Sequence, residues 1–391
     1  MMDPAKAKIR FGILGLGMAG GMMVPALANH ARTVISGAAD LNPDLRARFG
    51  RDHDVEVNDN AQALACRDDI DALYIATPHQ FHMEHAILAA EHGKHLIVEK
   101  PMALSLSDCD AMIAAARRNR VTLIVGHTHS FDPAIRHICQ LAAADTFGPL
   151  AMIAMWNYTD FIYRPRRPEE LDTAKGGGIL FNQLPHQVDT ARLLAGSPVR
   201  SVRAMTGILD PRRPTEGCAM VFLEFISGAA ATLVYSGYDR FDSDEMHSWV
   251  AASGRRKSPS HGAARKAFEA LKGEADELRL RSDRYGYGGN ANFQGLEAEY
   301  QAHFGSLIAT YQRADLRPSP KGILVYSDEG VQEILLPHAG NGRTLLLDEF
   351  CAAAVDGTPA AHDGQFARET VEACLAIRDS ALQRREIMLR P

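Results

Sequence analysis

Short apolar runs separated by amphipathic stretches fill the first third of the chain. Ile9–Leu14 and residues 34–39, 73–77, 96–99 and 121–125 have the length and composition of buried strands. Between them, residues 82–92 and 107–118 carry apolar positions at helical spacing, the second opening on Ser107 as its expected N-cap. Strands alternating with helices predict right-handed βαβ units and a parallel sheet covered on both faces.

After about residue 130 the pattern changes. Strand-like runs at 152–158, Val199–Gly207, 219–226, 229–238, Ser306–Tyr311, 322–326 and 331–336 alternate apolar and polar positions. Ser227-Gly228 marks a hairpin turn. Helical stretches are expected at 185–194, 344–354 and 365–385, with an arginine- and proline-rich loop at 164–168 and a triple glycine at 176–178. This half reads as an α+β domain on a largely antiparallel open sheet. Residues 253 to about 292, rich in glycine, serine, arginine and lysine with a helical piece near 264–280, read as an insertion. The expected division is a doubly wound α/β domain over 1–130 and an α+β domain over 131–391, reasonable for 391 residues, which exceed one compact core.

Composition narrows the function. Hydrophobic residues make up 46% and charged residues 23%, the balance of a globular rather than a disordered chain. With 42 basic against 48 acidic residues, the formal net charge of −6 argues against general nucleic-acid binding. No apolar run reaches membrane-spanning or signal-peptide length. Six cysteines lie far apart without a CxxC pair, so neither a disulfide framework nor a zinc site is expected, and a reducing cytoplasm fits best.

The strongest local signal is Gly15-Leu16-Gly17-Met18-Ala19-Gly20, directly after the first strand and opening a helix. Gly15 permits the tight turn, Gly17 lets the backbone approach a pyrophosphate, and Gly20 allows close helix–strand packing. The helix N-terminus, with free N–H groups and the positive dipole end, favours the phosphates. Asp40 follows at the end of the second strand, where a carboxylate accepts from ribose hydroxyls and repels a 2′-phosphate. NAD is therefore expected over NADP, which stays open if Arg46 or Arg48 reaches the ribose.

Three further segments join this one. They are residues 76–82 (ATPHQFH) after the strand at 73–77, Glu99-Lys100-Pro101 after the strand at 96–99, and Gly176-Gly177-Gly178 leading to His186 and Asp189. In this order they resemble the Gfo/Idh/MocA oxidoreductases, over nearly the whole chain. The resemblance implies a Rossmann domain followed by an α+β domain whose open sheet commonly serves oligomerisation, here as a homodimer or homotetramer. It assigns cofactor binding to Gly15, Gly17, Met18, Ala19, Gly20, Asp40, Thr77, Pro78, His79, His82, Glu99 and Lys100. It makes Lys100 the lysine at the reacting oxygen, where an ammonium stabilises developing negative charge. His186 becomes the general base, with Asp189 one helical turn later to orient it. Many family members carry an aspartate four residues before that histidine. Asn182 stands there instead; it cannot take a proton but can hold a substrate hydroxyl.

Several stretches, among them residues 98–113 (VEKPMALSLSDCDAMI), 126–132 (GHTHSFD), 157–173 (NYTDFIYRPRRPEELDT) and 235–245 (YSGYDRFDSDE), resemble the branch that oxidises the cis-4,5-dihydrodiol of phthalate. An anionic aromatic diol suits Arg164, Arg166 and Arg167, because guanidinium groups clasp carboxylates in a fork. The bland alternative is a solvated basic loop. His127 and His129 are further substrate candidates. Neither this His-x-His pair nor His79, His82 and His85 has the partner set a metal requires, so no metal is expected. The resulting expectation is oxidation of a secondary alcohol by hydride transfer to NAD, with Lys100 and His186, from separate folding units, acting on one carbinol. A sugar or inositol dehydrogenase of the same family is the alternative, and a non-catalytic NAD-sensing regulator the reading from a different class.

Overall fold

The structure, a computed structural model, describes residues 8–289, 298–337 and 342–389. Each apolar run of the first third is a strand of one parallel sheet. The elements are β1 (Ile9–Leu14), α1 (Met18–Asn29), β2 (Thr33–Ala39), α2 (Pro43–His53), β3 (Glu56–Asn58), α3 (Ala61–Ala65), β4 (Ala72–Ile75), α4 (His82–Glu91), β5 (His95–Val98), α5 (Leu106–Asn119) and β6 (Leu123–Val125). The sheet order is β3-β2-β1-β4-β5-β6, every pair parallel. Phe11, Ile13, Leu73, Ile75, Leu96 and Ile97 are all buried, the continuous apolar run of strands covered on both faces. The strand order reverses at β1, which opens a crevice at the carboxyl ends of β1 and β4, the place where open α/β sheets bind ligands.

Two details differ from expectation. Helix α5 is capped by Ser105, whose hydroxyl accepts from the Asp108 N–H at 3.1 Å, and Ser107 lies inside the first turn. Strand β3 was not expected, because three residues without a buried face give no alternation to read.

The chain continues through α6 (Pro133–Ala143), β7 (Leu150–Tyr158), α7 (Gly178–Asn182), α8 (Leu184–Ala195), β8 (Val199–Gly207), β9 (Cys218–Phe225), β10 (Ala230–Ser236), α9 (Ala263–Glu269), α10 (Glu274–Arg284), β11 (Ser306–Tyr311), β12 (Ala314–Ser319), β13 (Gly322–Ser327), β14 (Gly330–Leu335), α11 (Gly342–Val355), α12 (Gly364–Gln383) and β15 (Ile387–Met388). Nine of these strands form one sheet in the order β14-β13-β12-β11-β7-β10-β9-β8-β15, antiparallel except for β7 beside β10. Helix α8 packs on β7 and β10. The inward row includes Val202, Val221, Leu223, Leu233 and Tyr235, while Met152, Met205, Met220 and Phe222 on the other face are exposed. The hairpin at Ser227-Gly228 joins β9 to β10 in register. Strand β12, masked in the sequence by Asp315, Arg317 and Pro318, was not expected. The helical piece expected at 264–280 is two helices, α9 and α10, separated by Gly273 at φ +150°. Residues 290–292 of the expected insertion lie outside the described residues.

Two compact units result. The first holds residues 8–126, 279–289 and 343–371; the second holds 127–278, 298–337, 342 and 372–389. The later stretches join the first unit through apolar and polar contacts. The Phe350 ring of α11 lies 5.3 Å from Phe11 of β1. Tyr287 packs 4.9 Å from Phe49, donates its N–H to the Leu16 carbonyl, and donates its hydroxyl to Asp52. Among the described residues no helix is long and apolar enough to cross a membrane.

Candidate active site

The glycine-rich turn sits at the crevice of the parallel sheet. Gly15 has φ +97°, and a Cβ there would lie 2.8 Å from the Ala76 carbonyl oxygen. At Gly20 a Cβ would sit 1.9 Å from the Gly15 carbonyl, so the start of α1 closes onto the loop only with glycine. Gly17 is different. A Cβ there would meet no protein atom within 4 Å, so nothing in the fold itself demands glycine. What a bare backbone at Gly17 leaves is room for a ligand, at the N-cap of a helix whose first turn has no acidic residue. Met18 and Ala19 form that first turn. These residues fit a dinucleotide pyrophosphate.

Asp40, at the end of β2, accepts from the Leu16 N–H at 2.7 Å and the Asn42 N–H at 2.8 Å, one bond to each oxygen. The carboxylate is thus fixed beside the glycine turn, with lone pairs remaining for ribose hydroxyls. The two arginines that kept NADP open are otherwise engaged. Arg46 donates to the carbonyls of Asp40 and Leu41, both at 2.9 Å. Arg48 donates to the Gly288 carbonyl at 2.9 Å and pairs with Asp52.

The loops after β4 and β5 are tied together by His82. Its ring is fully buried, with Nε2 2.9 Å from the Thr77 carbonyl and Nδ1 3.0 Å from the Pro101 carbonyl. Burial pushes the His82 pKa down. So enclosed, His82 bridges the Thr77-Pro78 and Lys100-Pro101 segments. His79 packs edge-on to it at 5.6 Å, and Thr77 bonds His85 at 3.0 Å. Glu99 accepts from the Tyr74 hydroxyl and, at 3.2 Å, from the Lys100 N–H. Burial pushes Tyr74 well above its usual range, so the phenol stays a donor and the carboxylate stays in place. Lys100 is half-buried on that turn.

In the second unit, His129, His186 and Phe304 form one cluster. The rings of His129 and His186 meet edge-on at 4.8 Å, and Phe304 lies 4.6 Å from His129 and 4.8 Å from His186. His129 Nδ1 is 3.0 Å from the buried Asp132 carboxylate, which fixes the direction of its Nε2. The His186 N–H donates to the Gln183 carbonyl at 3.1 Å, and the Gln183 side chain accepts from Tyr235. His127 and Asp189 pair with each other, Nδ1 to Oδ1 at 3.7 Å, at 1% and 0% side-chain exposure. His127 stands just before the short helical turn that carries His129, and Asp189 lies one turn after His186 on α8. Asp132, Phe304, Tyr235 and Gln183 were missed by sequence reasoning. His129-x-x-Asp132 spacing was a legible signal; Phe304 and Tyr235 arrive from distant elements and had none, and Gln183, at the N-cap of α8 itself, carries no chemistry that singles it out.

The Asn182 amide nitrogen donates to the Gly176 carbonyl at 2.9 Å and the Gly178 carbonyl at 2.8 Å. Asn182 therefore holds the glycine turn closed, a task for the N–H groups of an amide that a carboxylate cannot perform. The three arginines differ. Arg164 Nε is on Asp160 at 2.8 Å. Arg166 stacks 3.9 Å over Phe161 and donates Nη2 to its carbonyl at 2.7 Å. Arg167 lies between Glu169 and Glu170, at 3.0 and 3.5 Å, and two carboxylates cancel its attraction for an anion. Among the described residues no group of three histidine, cysteine, aspartate or glutamate side chains is placed to hold a metal.

Residues 9–127 match the family described as an oxidoreductase family with an NAD-binding Rossmann fold (GFO/IDH/MocA), and residues 135–254 match the GFO/IDH/MocA C-terminal domain. The chain is 36% identical to the 1-carboxy-3-chloro-3,4-dihydroxycyclo hexa-1,5-diene dehydrogenase of Comamonas testosteroni, over 94% of each chain. It is 28% identical to the inositol 2-dehydrogenase of Rhizobium meliloti, over 63% of this chain and 76% of that one. A protein of Bordetella bronchiseptica RB50 known from its crystal structure shares 46% identity and a TM-score of 0.93, over 98% of this chain and all of that one.

Proposed function

Because this chain belongs to the GFO/IDH/MocA family of NAD-binding oxidoreductases, we propose that it oxidises one carbinol of a carboxylated cis-dihydrodiol, with 4,5-dihydro-4,5-dihydroxyphthalate going to 4,5-dihydroxyphthalate as the best candidate. The observation that carries this reading is the likeness, along 94% of both chains, to a dehydrogenase named for a carboxylated dihydroxycyclohexadiene. Arg164 and Arg166, held in orientation by Asp160 and Phe161, are assigned to the ring carboxylates. Arg167 is withdrawn from recognition.

NAD, when bound, supplies the hydride acceptor. Lys100, on the turn fixed by Glu99 and Tyr74, stabilises negative charge on the carbinol oxygen. His186 removes the hydroxyl proton, and His129, oriented by Asp132, passes it on. The hydroxy-dienone left by loss of hydride and proton tautomerises to the catechol, and aromatisation drives the oxidation forward. What the chain contributes is orientation and charge stabilisation. The same reading includes self-association through the exposed row Met152, Met205, Met220 and Phe222 of the open sheet.

The test is NADH formation with the dicarboxylate diol, its decarboxylated analogue, and a panel of sugars and inositols. The expected result is turnover of the dicarboxylate diol, with a kcat/KM for the decarboxylated analogue lower by about 10²-fold or more. Turnover of sugars or inositols alone establishes the second reading, which rests on the likeness to the inositol 2-dehydrogenase.

A further inference from the structure

Of the six cysteines, Cys66 is the exposed one. Burial pushes the thiols of Cys109 up to about 12 and of Cys139 and Cys351 up to about 11, which leaves them inert at neutral pH. Cys66 has a different setting, made where the C-terminal ends of α3 and α4 meet. It follows α3 directly, with Gln62 one turn earlier on the same helix face. His92 follows α4 and is also exposed.

The contacts among these three side chains are those of an activated nucleophile. His92 Nδ1 lies 2.9 Å from the Leu88 carbonyl oxygen, which accepts only, so Nδ1 carries the ring proton. That tautomer leaves the lone pair on Nε2, which faces Cys66 Sγ at 3.2 Å. The Gln62 amide nitrogen is 3.0 Å from the same sulfur and 3.2 Å from Nε2. A thiol is therefore matched with a base, the base with a group that fixes its tautomer, and the sulfur with an N–H donor for the charge that develops. Nucleophile, base and orienting third group are the parts that activate a thiol for attack. None of these residues belongs to the glycine turn, the Lys100 turn or the His186 cluster.

We propose that Cys66 is a reactive thiol that exchanges with low-molecular-weight disulfides, with His92 as its base, and is therefore a site of reversible mixed-disulfide modification. The sulfur attacks one sulfur of the disulfide as its proton passes to His92 Nε2. The S–S bond of the reagent breaks, the Cys66 Sγ–S bond forms, and the departing thiolate takes the proton from His92. The reagent disulfide is the oxidant, and one thiol is released for each adduct.

The experiment uses the intact folded protein and oxidised glutathione, with the adduct mapped by peptide mass spectrometry and its rate followed with time. The expected result is a glutathionyl adduct at Cys66, formed about tenfold or more faster than at the same cysteine in the urea-unfolded chain. His92→Gln, at an exposed position, should remove that advantage while leaving the melting temperature unchanged, and Cys66→Ser should abolish the adduct. A Cys66 rate equal to that of the unfolded chain, or one unchanged in His92→Gln, overturns the proposal. The readout needs neither NAD nor the diol, so it stands or falls apart from the proposed activity.

Discussion

Both N–H groups of the Asn182 amide are engaged by the carbonyls of Gly176 and Gly178, a task a carboxylate cannot perform. The side chain thus shapes the segment that leads to His186. Asn182→Asp sets negative charge against two carbonyl oxygens and should cost about 1–3 kcal/mol of stability at neutral pH. Denaturant unfolding measures this, and an unchanged midpoint would remove the amide from that role. Asp40 acts on a similar scale, joined to the glycine turn through Leu16 and, in the proposed reading, to the ribose through its remaining lone pairs. Asp40→Ala should weaken NAD binding by about 10–100-fold, the loss of charge-assisted hydrogen bonds, and narrow the preference over NADP. Isothermal titration with both cofactors reads the two effects, and an unaltered NAD to NADP ratio would detach Asp40 from the ribose.

At the scale of elements, α10 is held against the arginine loop by one carboxylate. Glu277 accepts from both terminal nitrogens of Arg213, at 2.7 and 3.1 Å, and from the Arg166 N–H at 2.7 Å. Arg213 is 1% exposed and stacks on Phe268 at 3.9 Å. Glu277→Ala leaves a buried guanidinium uncompensated, which should cost about 3–5 kcal/mol and loosen Arg166 as well. Thermal unfolding measures the loss, and a shift no larger than that of a surface substitution would show that α10 does not depend on the pair. None of this was legible in sequence, where residues 253–292 read as an insertion without a fixed place. An ion pair between residues 64 positions apart leaves no periodic trace. The parallel strands were legible for the opposite reason: each is a local apolar run, and the glycine turn carries its function in six consecutive residues. Strands β3 and β12 failed that reading because one is too short to alternate and the other carries Asp315 and Arg317 on one face and a buried Pro318 on the other, which reads as a turn.

At the scale of the molecule, two layers of the design differ in how openly the sequence states them. Alternation in β8, β9 and β10 announces a sheet with one buried face, but not that the other face also carries Met205, Met220 and Phe222. Facing Met205 across the strand pair, Met220 makes that surface contiguous. The protein is expected to elute as a dimer or larger by light scattering, and Met220→Glu with Phe222→Glu to reduce it to one chain without unfolding it. A wild-type mass of one chain would discard that interface. The proposed site was legible in its fragments, as Lys100, His186, the glycine turn and the His129-x-x-Asp132 spacing, whereas Tyr74 and Phe304 became visible only with the fold. The central claim is transfer of hydride from a carbinol carbon to the nicotinamide, and mass spectrometry of the reduced cofactor tests it most directly. With the diol deuterated at its carbinol carbons, the account predicts one deuterium in each reduced nicotinamide and its loss from the substrate; reduced cofactor without deuterium, or catechol formed with no reduced cofactor, would contradict it.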